Sequence, residues 1–184
     1  APSPGPALLG AQGDTHASHR FPSAYAPGFL QGAARLRLGV GVDQGARVVV
    51  ATVQSGTIGH SLPTGTPLRY VVLRIEALDA ELRVVWRNVA DDPLADDPSA
   101  VFAHVFADAE GKSPVPPFLA SGPGTDTRLR FNETRSLRYP LPAGAAAIRA
   151  TLEYHRGPRA LLEAAGLPDA TRRPITIAQD LLRL

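Results

Sequence analysis

The chain has 184 residues, 44% hydrophobic and 20% charged, with a formal net charge of +2 and no cysteine. That length holds one well-buried core and not two, and the small charge, carried by singly scattered arginines with Lys112 as the one lysine, excludes a nucleic-acid surface. The missing cysteine excludes disulfides, thiolate metal sites and covalent haem attachment through Cys-x-x-Cys-His. No apolar run approaches the roughly 20 residues that cross a bilayer, so no transmembrane segment is expected. The chain also contains no methionine and opens on APSPGPALLG. The expectation is a processed product from which a secretory signal has been removed, placing it in the periplasm or outside the cell, or else a fragment of something longer.

In chain order, residues 1–33 are rich in Pro, Gly, Ala and Ser, with Leu8, Leu9, Phe21, Tyr25, Phe29 and Leu30 as the only anchors, and predict an extended N-terminal arm. From Ala34 the texture changes to short apolar runs of period two, the signature of half-buried antiparallel strands. Strands are expected near 34–40, 46–54, 68–78, 82–88, 101–107, 127–131, 134–140 and 147–156. Leu73, Ile75 and Ala77 alternate with Arg74, Glu76 and Leu78, and Leu82, Val84 and Trp86 with Arg83, Val85 and Arg87, which predicts a hairpin across Asp79–Ala80–Glu81 with one wet face. Arg159 to Gly166 predicts a short helix after Pro158. The tail 174–184 is apolar enough to dock as a last strand or a helical turn. The fold class is therefore all-β, an immunoglobulin-like antiparallel β-sandwich spanning 34–157, with the arm (1–33) before it and a short C-terminal helix and tail (158–184) after it.

The arm carries Thr15 to Pro22, THASHRFP, with His16 and His19 three residues apart. His-x-x-His supplies two ligands where a closed zinc site wants four and a catalytic one three, and Asp14 is the only local helper. The loop IGHSLPTGTP (58–67) contains a compact turn at Leu62–Gly65. His60 beside it is held at the loop edge, either as a structural residue, which is the simpler reading, or as a ligand or hydrogen-bond donor. DDPLADDP (91–98) lacks the ligand spacing of a calcium loop and predicts an exposed acidic turn. Asp126–Thr127–Arg128 predicts an architectural tie, His104 a packed or edge histidine, and His155 a solvated one. No Gly-x-Ser-x-Gly elbow, cysteine nucleophile, His-Glu-x-x-His helix or phosphate loop is present, so no enzymatic activity is expected.

SHRFP (18–22), GHSLPTG (59–65), DAEL (79–82), VVWRN (84–88), DTR (126–128), NETR (132–135) and LEYHRGPRALLEAAGL (152–167) occur in an order that resembles the C-terminal β-sandwich module of bacterial multihaem c-type cytochromes. The resemblance covers about residues 14–167. In that family the histidine of the SHxF segment is commonly an axial haem ligand. The resemblance places that role on His19, with His16 as second candidate; on such an arm Phe21, Pro22 and Tyr25 would pack on the macrocycle or the partner's wall, and His60 at its loop edge is a further candidate for cofactor binding. The chain departs from the family in having no Cys-x-x-Cys-His, so any haem c it meets belongs to a partner subunit. Pro22–Ser23 also stand where the family shows a Gly-rich continuation. The resemblance implies a non-catalytic, exported accessory subunit that docks on a multihaem c-type cytochrome in an electron-transfer assembly, within a hetero-oligomer or filament. In it the arm covers or axially ligates the iron of a partner haem. The alternatives are an extracellular adhesion or ligand-binding sandwich with no redox role, and a portion of a larger cytochrome.

Overall fold

The computed structural model describes Ala24, Ala26 and residues 28–184. The chain runs β1 (Ala34–Asp43), β2 (Ala46–Ser55), β3 (Tyr70–Leu78), β4 (Val84–Arg87), α1 (Pro93–Asp96), β5 (Val101–Ala107), β6 (Gly122–Asp126), β7 (Thr134–Pro140), β8 (Ala147–His155), α2 (Arg159–Ala164), α3 (Asp169–Arg172) and β9 (Ile175–Arg183). All pairings are antiparallel and form two sheets: β1-β2-β7, and β6-β5-β3-β8-β9 with β4 also on β3. One edge of β3 is shared, β5 pairing at Tyr70–Val72 and β4 at Glu76–Leu78, while β8 covers the whole opposite edge. The result is an all-β sandwich, as the alternating runs require.

The core follows from that alternation. Leu36, Val49, Ala51, Val53, Leu137 and Tyr139 from the small sheet meet Val71, Leu73, Ile75, Ala77, Ile148, Ala150, Leu152 and Tyr154 from the large one, all buried in one cluster with Phe102 and Leu129. The β3–β4 turn is closed by Asp79, whose carboxylate accepts from the backbone N–H of Glu81 and Arg83 at 3.0 and 2.8 Å. The outer face of β3 is drier than expected, with Val72 and Leu78 buried as well. The chain beyond β4 returns across that face, where Arg74 donates to the Val89 carbonyl at 3.3 Å. A cross-sheet bond, Leu38 N–H to Asp180 Oδ2 at 2.7 Å, ties the edge strands β1 and β9 together.

The strand expected near 127–131 lies earlier, as β6 at Gly122–Asp126. The ladder ends there because Thr127 turns its hydroxyl into the backbone, donating to the Val101 carbonyl at 2.7 Å and accepting from Ala103 N–H at 3.0 Å. The tail 174–184, open from its sequence to a last strand or a helical turn, forms the strand. After α2, closed at Gly166 (φ +67°), and α3, the chain re-enters the large sheet as β9, paired with β8 from Ala147↔Arg183 to Tyr154↔Ile175.

The carboxylates of 91–98 serve the fold. Asp92 caps α1 by accepting from Leu94 N–H, and Asp96 accepts from Ala90 and Asp91 N–H. Asp97 is not an exposed turn residue: it accepts from Asn88 Nδ2 and the Tyr139 hydroxyl, both at 2.9 Å. Burial works to raise its carboxyl, but the hydrogen bonds from Ser99, Asn88 and Tyr139 bring it below the ordinary carboxylate value. Burial and the neighbouring Asp97 charge push the Tyr139 phenol well above its usual value. Asn88 also satisfies β3 directly, accepting from Ile75 N–H at 2.7 Å and donating to the Leu73 carbonyl at 3.0 Å.

Candidate functional site

The motifs at 59–65, 126–128, 132–135 and 152–157, far apart in sequence, converge at one end of the sandwich. Register brings them there: Ala34 lies opposite Ser55, Gln54 opposite Thr134, Tyr70 opposite both His155 and Ala103, and His104 opposite Asp126. The hairpin turn at 79–82 closes the opposite end, since Leu78 pairs with Ala147.

Arg135 is the clamp of this end. Its guanidinium donates to the Thr127 carbonyl at 2.7 Å, to the Arg128 carbonyl at 3.2 Å and to Glu133 at 2.7 and 3.0 Å. It also lies 5.0 Å above the Phe102 ring centre. Arg128 in turn makes a two-pronged contact with Asp126 at 2.9 and 2.7 Å, which lowers the Asp126 carboxyl to about 2. The architectural role expected of Asp126–Arg128 is met by these contacts.

The clamped segment then holds the loop between β2 and β3. Leu62 and Leu129 exchange both backbone hydrogen bonds, at 2.8 and 2.9 Å. Gly56 anchors the start of that loop by donating to the Ala33 carbonyl at 2.9 Å, so close that a Cβ on Gly56 would run into the Gly32 carbonyl oxygen. Gly65 takes φ +89°, open to glycine but strained for any other residue, and a Cβ there would come within 2.6 Å of Arg69 Nη1.

Between this loop and the last turn of the arm lies an open cleft of about 440 Å³. Phe29, Leu30 and Ala33 form one side, Ile58 and Leu62 the other, and His60, Arg69 and Tyr154 supply its polar groups. His60 is exposed, and its Nδ1 lies 3.0 Å from the Ser61 carbonyl oxygen. A carbonyl only accepts, so Nδ1 carries the proton and a neutral ring keeps its lone pair on Nε2. Arg69 is half-buried. A smaller recess on the far side of the same loop is lined by Arg69, His104 and Arg128.

Of the residues singled out from the sequence, His16, His19 and Phe21 lie outside the described residues, and His60 stands at the cleft. His104 is a packed histidine on the interior strand β5, half-buried, its ring 5.6 Å from that of Phe106 and edge-on to it. His155 is not solvated: its side chain is 13% exposed, stacked on Tyr70 at 4.6 Å between ring centres, with Nε2 3.3 Å from Glu153. Burial, then the charge of Asp92, raises the Tyr70 phenol. Among the described residues no cluster of three or more His, Cys, Asp or Glu side chains is placed to hold a metal ion, and no helix is long and apolar enough to cross a membrane. Arg69, which borders both recesses, was not foreseen. Its only sequence signal is a glycine four residues earlier in a Pro-bounded turn.

Fold and site together define an antiparallel β-sandwich module with a clamped, cleft-bearing end. Comparison with protein-family models and with curated proteins gives no match. Among solved structures the chain is similar to a penta-heme cytochrome c552 from Thermochromatium tepidum, with 36% sequence identity and a TM-score of 0.76, covering 84% of this chain and 40% of that one. The chain thus spans less than half the length of the cytochrome it matches, and at this identity the likeness extends beyond the fold alone. With no cysteine in its 184 residues, the chain does not itself attach a haem c. What the cleft offers a haem is one imidazole lone pair and one cation beside an apolar wall, a donor set that fits non-covalent contact and does not fit a thioether-linked group.

Proposed function

We propose that this chain is a non-catalytic β-sandwich that docks on a multihaem c-type cytochrome in an exported electron-transfer assembly, using the end that carries the cleft. The similarity to a penta-heme cytochrome, 36% identical over 84% of this chain, carries the reading. The convergence of the distant motifs at one end of the sandwich supports it. In this arrangement the partner holds the haem and the electrons, and this chain supplies position, cover and a ligand. A neutral imidazole binds haem iron through one ring nitrogen, so a single histidine delivered from outside completes a bis-histidine site. His19, His16 and His60 are the candidates. His19 and His16 belong to the arm, whose described end walls the cleft, while His60 has its Nδ1 anchored so that Nε2 remains for iron. The apolar wall of Leu30, Ile58 and Leu62 would exclude water from the haem edge, which raises or lowers its potential with the ligand chosen.

The test is to replace His16, His19 and His60 singly by alanine in the native assembly and record the visible spectrum. Loss of one low-spin haem signature in one variant identifies the ligand. Three unchanged spectra remove the ligand role and leave only docking. The 40% coverage of the cytochrome favours one second reading, in which the haem-bearing part belongs to the same polypeptide and the docking is intramolecular. Mass measurement of the native protein separates the two.

A further inference from the structure

We propose that Arg69 seats a propionate carboxylate of the docked haem, with the apolar face of the macrocycle lying in the cleft. The proposal rests on the docking reading above and adds to it an anion site on a residue not so far given a role. A guanidinium offers five N–H donors and cannot shed its charge. Arg128 spends its donors on Asp126, Arg135 on Glu133 and two carbonyls, and Arg74 on Glu153 at 2.8 Å. Arg69, half-buried and sharing a recess with Arg128, has no carboxylate or carbonyl accepting from its guanidinium among the described residues.

The Arg69 backbone N–H donates to the Thr66 carbonyl at 3.0 Å, and the guanidinium lies against Gly65, where even a methyl group would come within 2.6 Å of Nη1. The head group is thus laid along the loop backbone at the cleft margin, and the loop itself is pinned through Leu62 and Leu129. A volume of about 440 Å³ lies within the range of small-molecule and cofactor sites, which are mostly apolar with a few fixed polar groups. An apolar wall with a cation at one margin and an imidazole at another matches a flat apolar body bearing a carboxylate at its edge. A porphyrin with its propionates has that form, and the forked geometry of arginine suits carboxylate.

Metal-free mesoporphyrin IX and its dimethyl ester provide the probe, because they share the macrocycle, differ in the carboxylates and carry no iron for a histidine to bind. Titration of the purified chain by fluorescence is expected to show the free acid bound about tenfold or more tightly than the diester, the effect of one charge-assisted contact. Arg69→Leu and Arg69→Gln are expected to bring the acid down to the level of the diester, while Arg69→Lys retains part of the preference. Circular dichroism confirms that each variant is folded. Equal affinity of the wild-type chain for acid and ester, or an undiminished preference in Arg69→Leu, overturns the proposal. A preference lost in Arg69→Leu while no cytochrome binds the native chain would leave the carboxylate seat standing and end the docking reading. A cytochrome that binds while the acid has no advantage would do the reverse.

Discussion

Replacing Arg135 by leucine removes the clamp on which the functional end depends, and its cost can be worked from the contacts. Two hydrogen bonds to the carbonyls of Thr127 and Arg128 are lost, at 2.7 and 3.2 Å, each costing about 1 kcal/mol at a partly exposed site. The pair with Glu133, both side chains 27–29% exposed, adds about 0.5 kcal/mol. The guanidinium over Phe102 at 5.0 Å adds about 0.5–1 kcal/mol. Leucine still covers part of the Phe102 ring, so the net loss is about 3 kcal/mol. For a chain of this size each kcal/mol moves Tm by about 2–4 °C, which predicts a fall of about 6–12 °C in a thermal melt followed by circular dichroism. Arg135→Lys keeps the charge but cannot fork between two carbonyls and a carboxylate, and should lose about half as much. If Arg135→Leu melts within about 2 °C of the wild type, the clamp contributes little and the rigidity assigned to the 126–135 region is wrong.

Other expectations follow from single contacts. Asn88→Ala strands Ile75 N–H and the Leu73 carbonyl inside β3 and should cost about 2–4 kcal/mol in urea unfolding. Gly56→Ala forces the loop backbone away from Gly32 and should cost more than about 3 kcal/mol while weakening porphyrin binding at the cleft. The Asp126 carboxyl, lowered from the ordinary 3.8 to about 2 by Arg128, takes up its proton more readily in the unfolded chain than in the folded one. Its contribution to stability is therefore complete above pH 4 and lost as pH falls from 3.8 towards 2. Urea midpoints across that window should decline more steeply in the wild type than in Asp126→Asn, and the difference should shrink in high salt because Asp126 is 44% exposed.

The sandwich was legible where one face of a strand is dry. In β2, β3 and β8 the period-two runs of Val, Ile, Leu and Ala mark the core face, where Val49, Ala51, Val53, Leu73, Ile75, Ala77, Ile148, Ala150 and Leu152 are buried, but alternation alone does not account for Val48, Val72 and Leu78, which are buried as well. β6 escaped because GPGTD carries only turn residues. It pairs through its backbone with β5, whose bulge at His104/Phe106 absorbs the mismatch, and nothing in its side chains advertises a strand. β9 was ambiguous for another reason: Ile175, Ile177, Leu181 and Leu182 suit either period, and only the exposed edge of β8 decides the matter. His155 was misjudged because alternation assigns it to the outer face but does not reveal that Tyr70, directly opposite it on β3, stacks on it. His60 could be picked out as a histidine in a rigid loop. Arg69 could not, because an arginine before a strand looks like any solvated charge until its distance from Gly65 is known.

The central claim is that this chain works against the haems of a cytochrome. Isolation of the native protein under mild conditions, with visible spectra of the co-purifying material before and after dithionite, tests it most directly. The account predicts a reduced c-type α-band in stoichiometric amount. A colourless protein that co-purifies with no haem would contradict it.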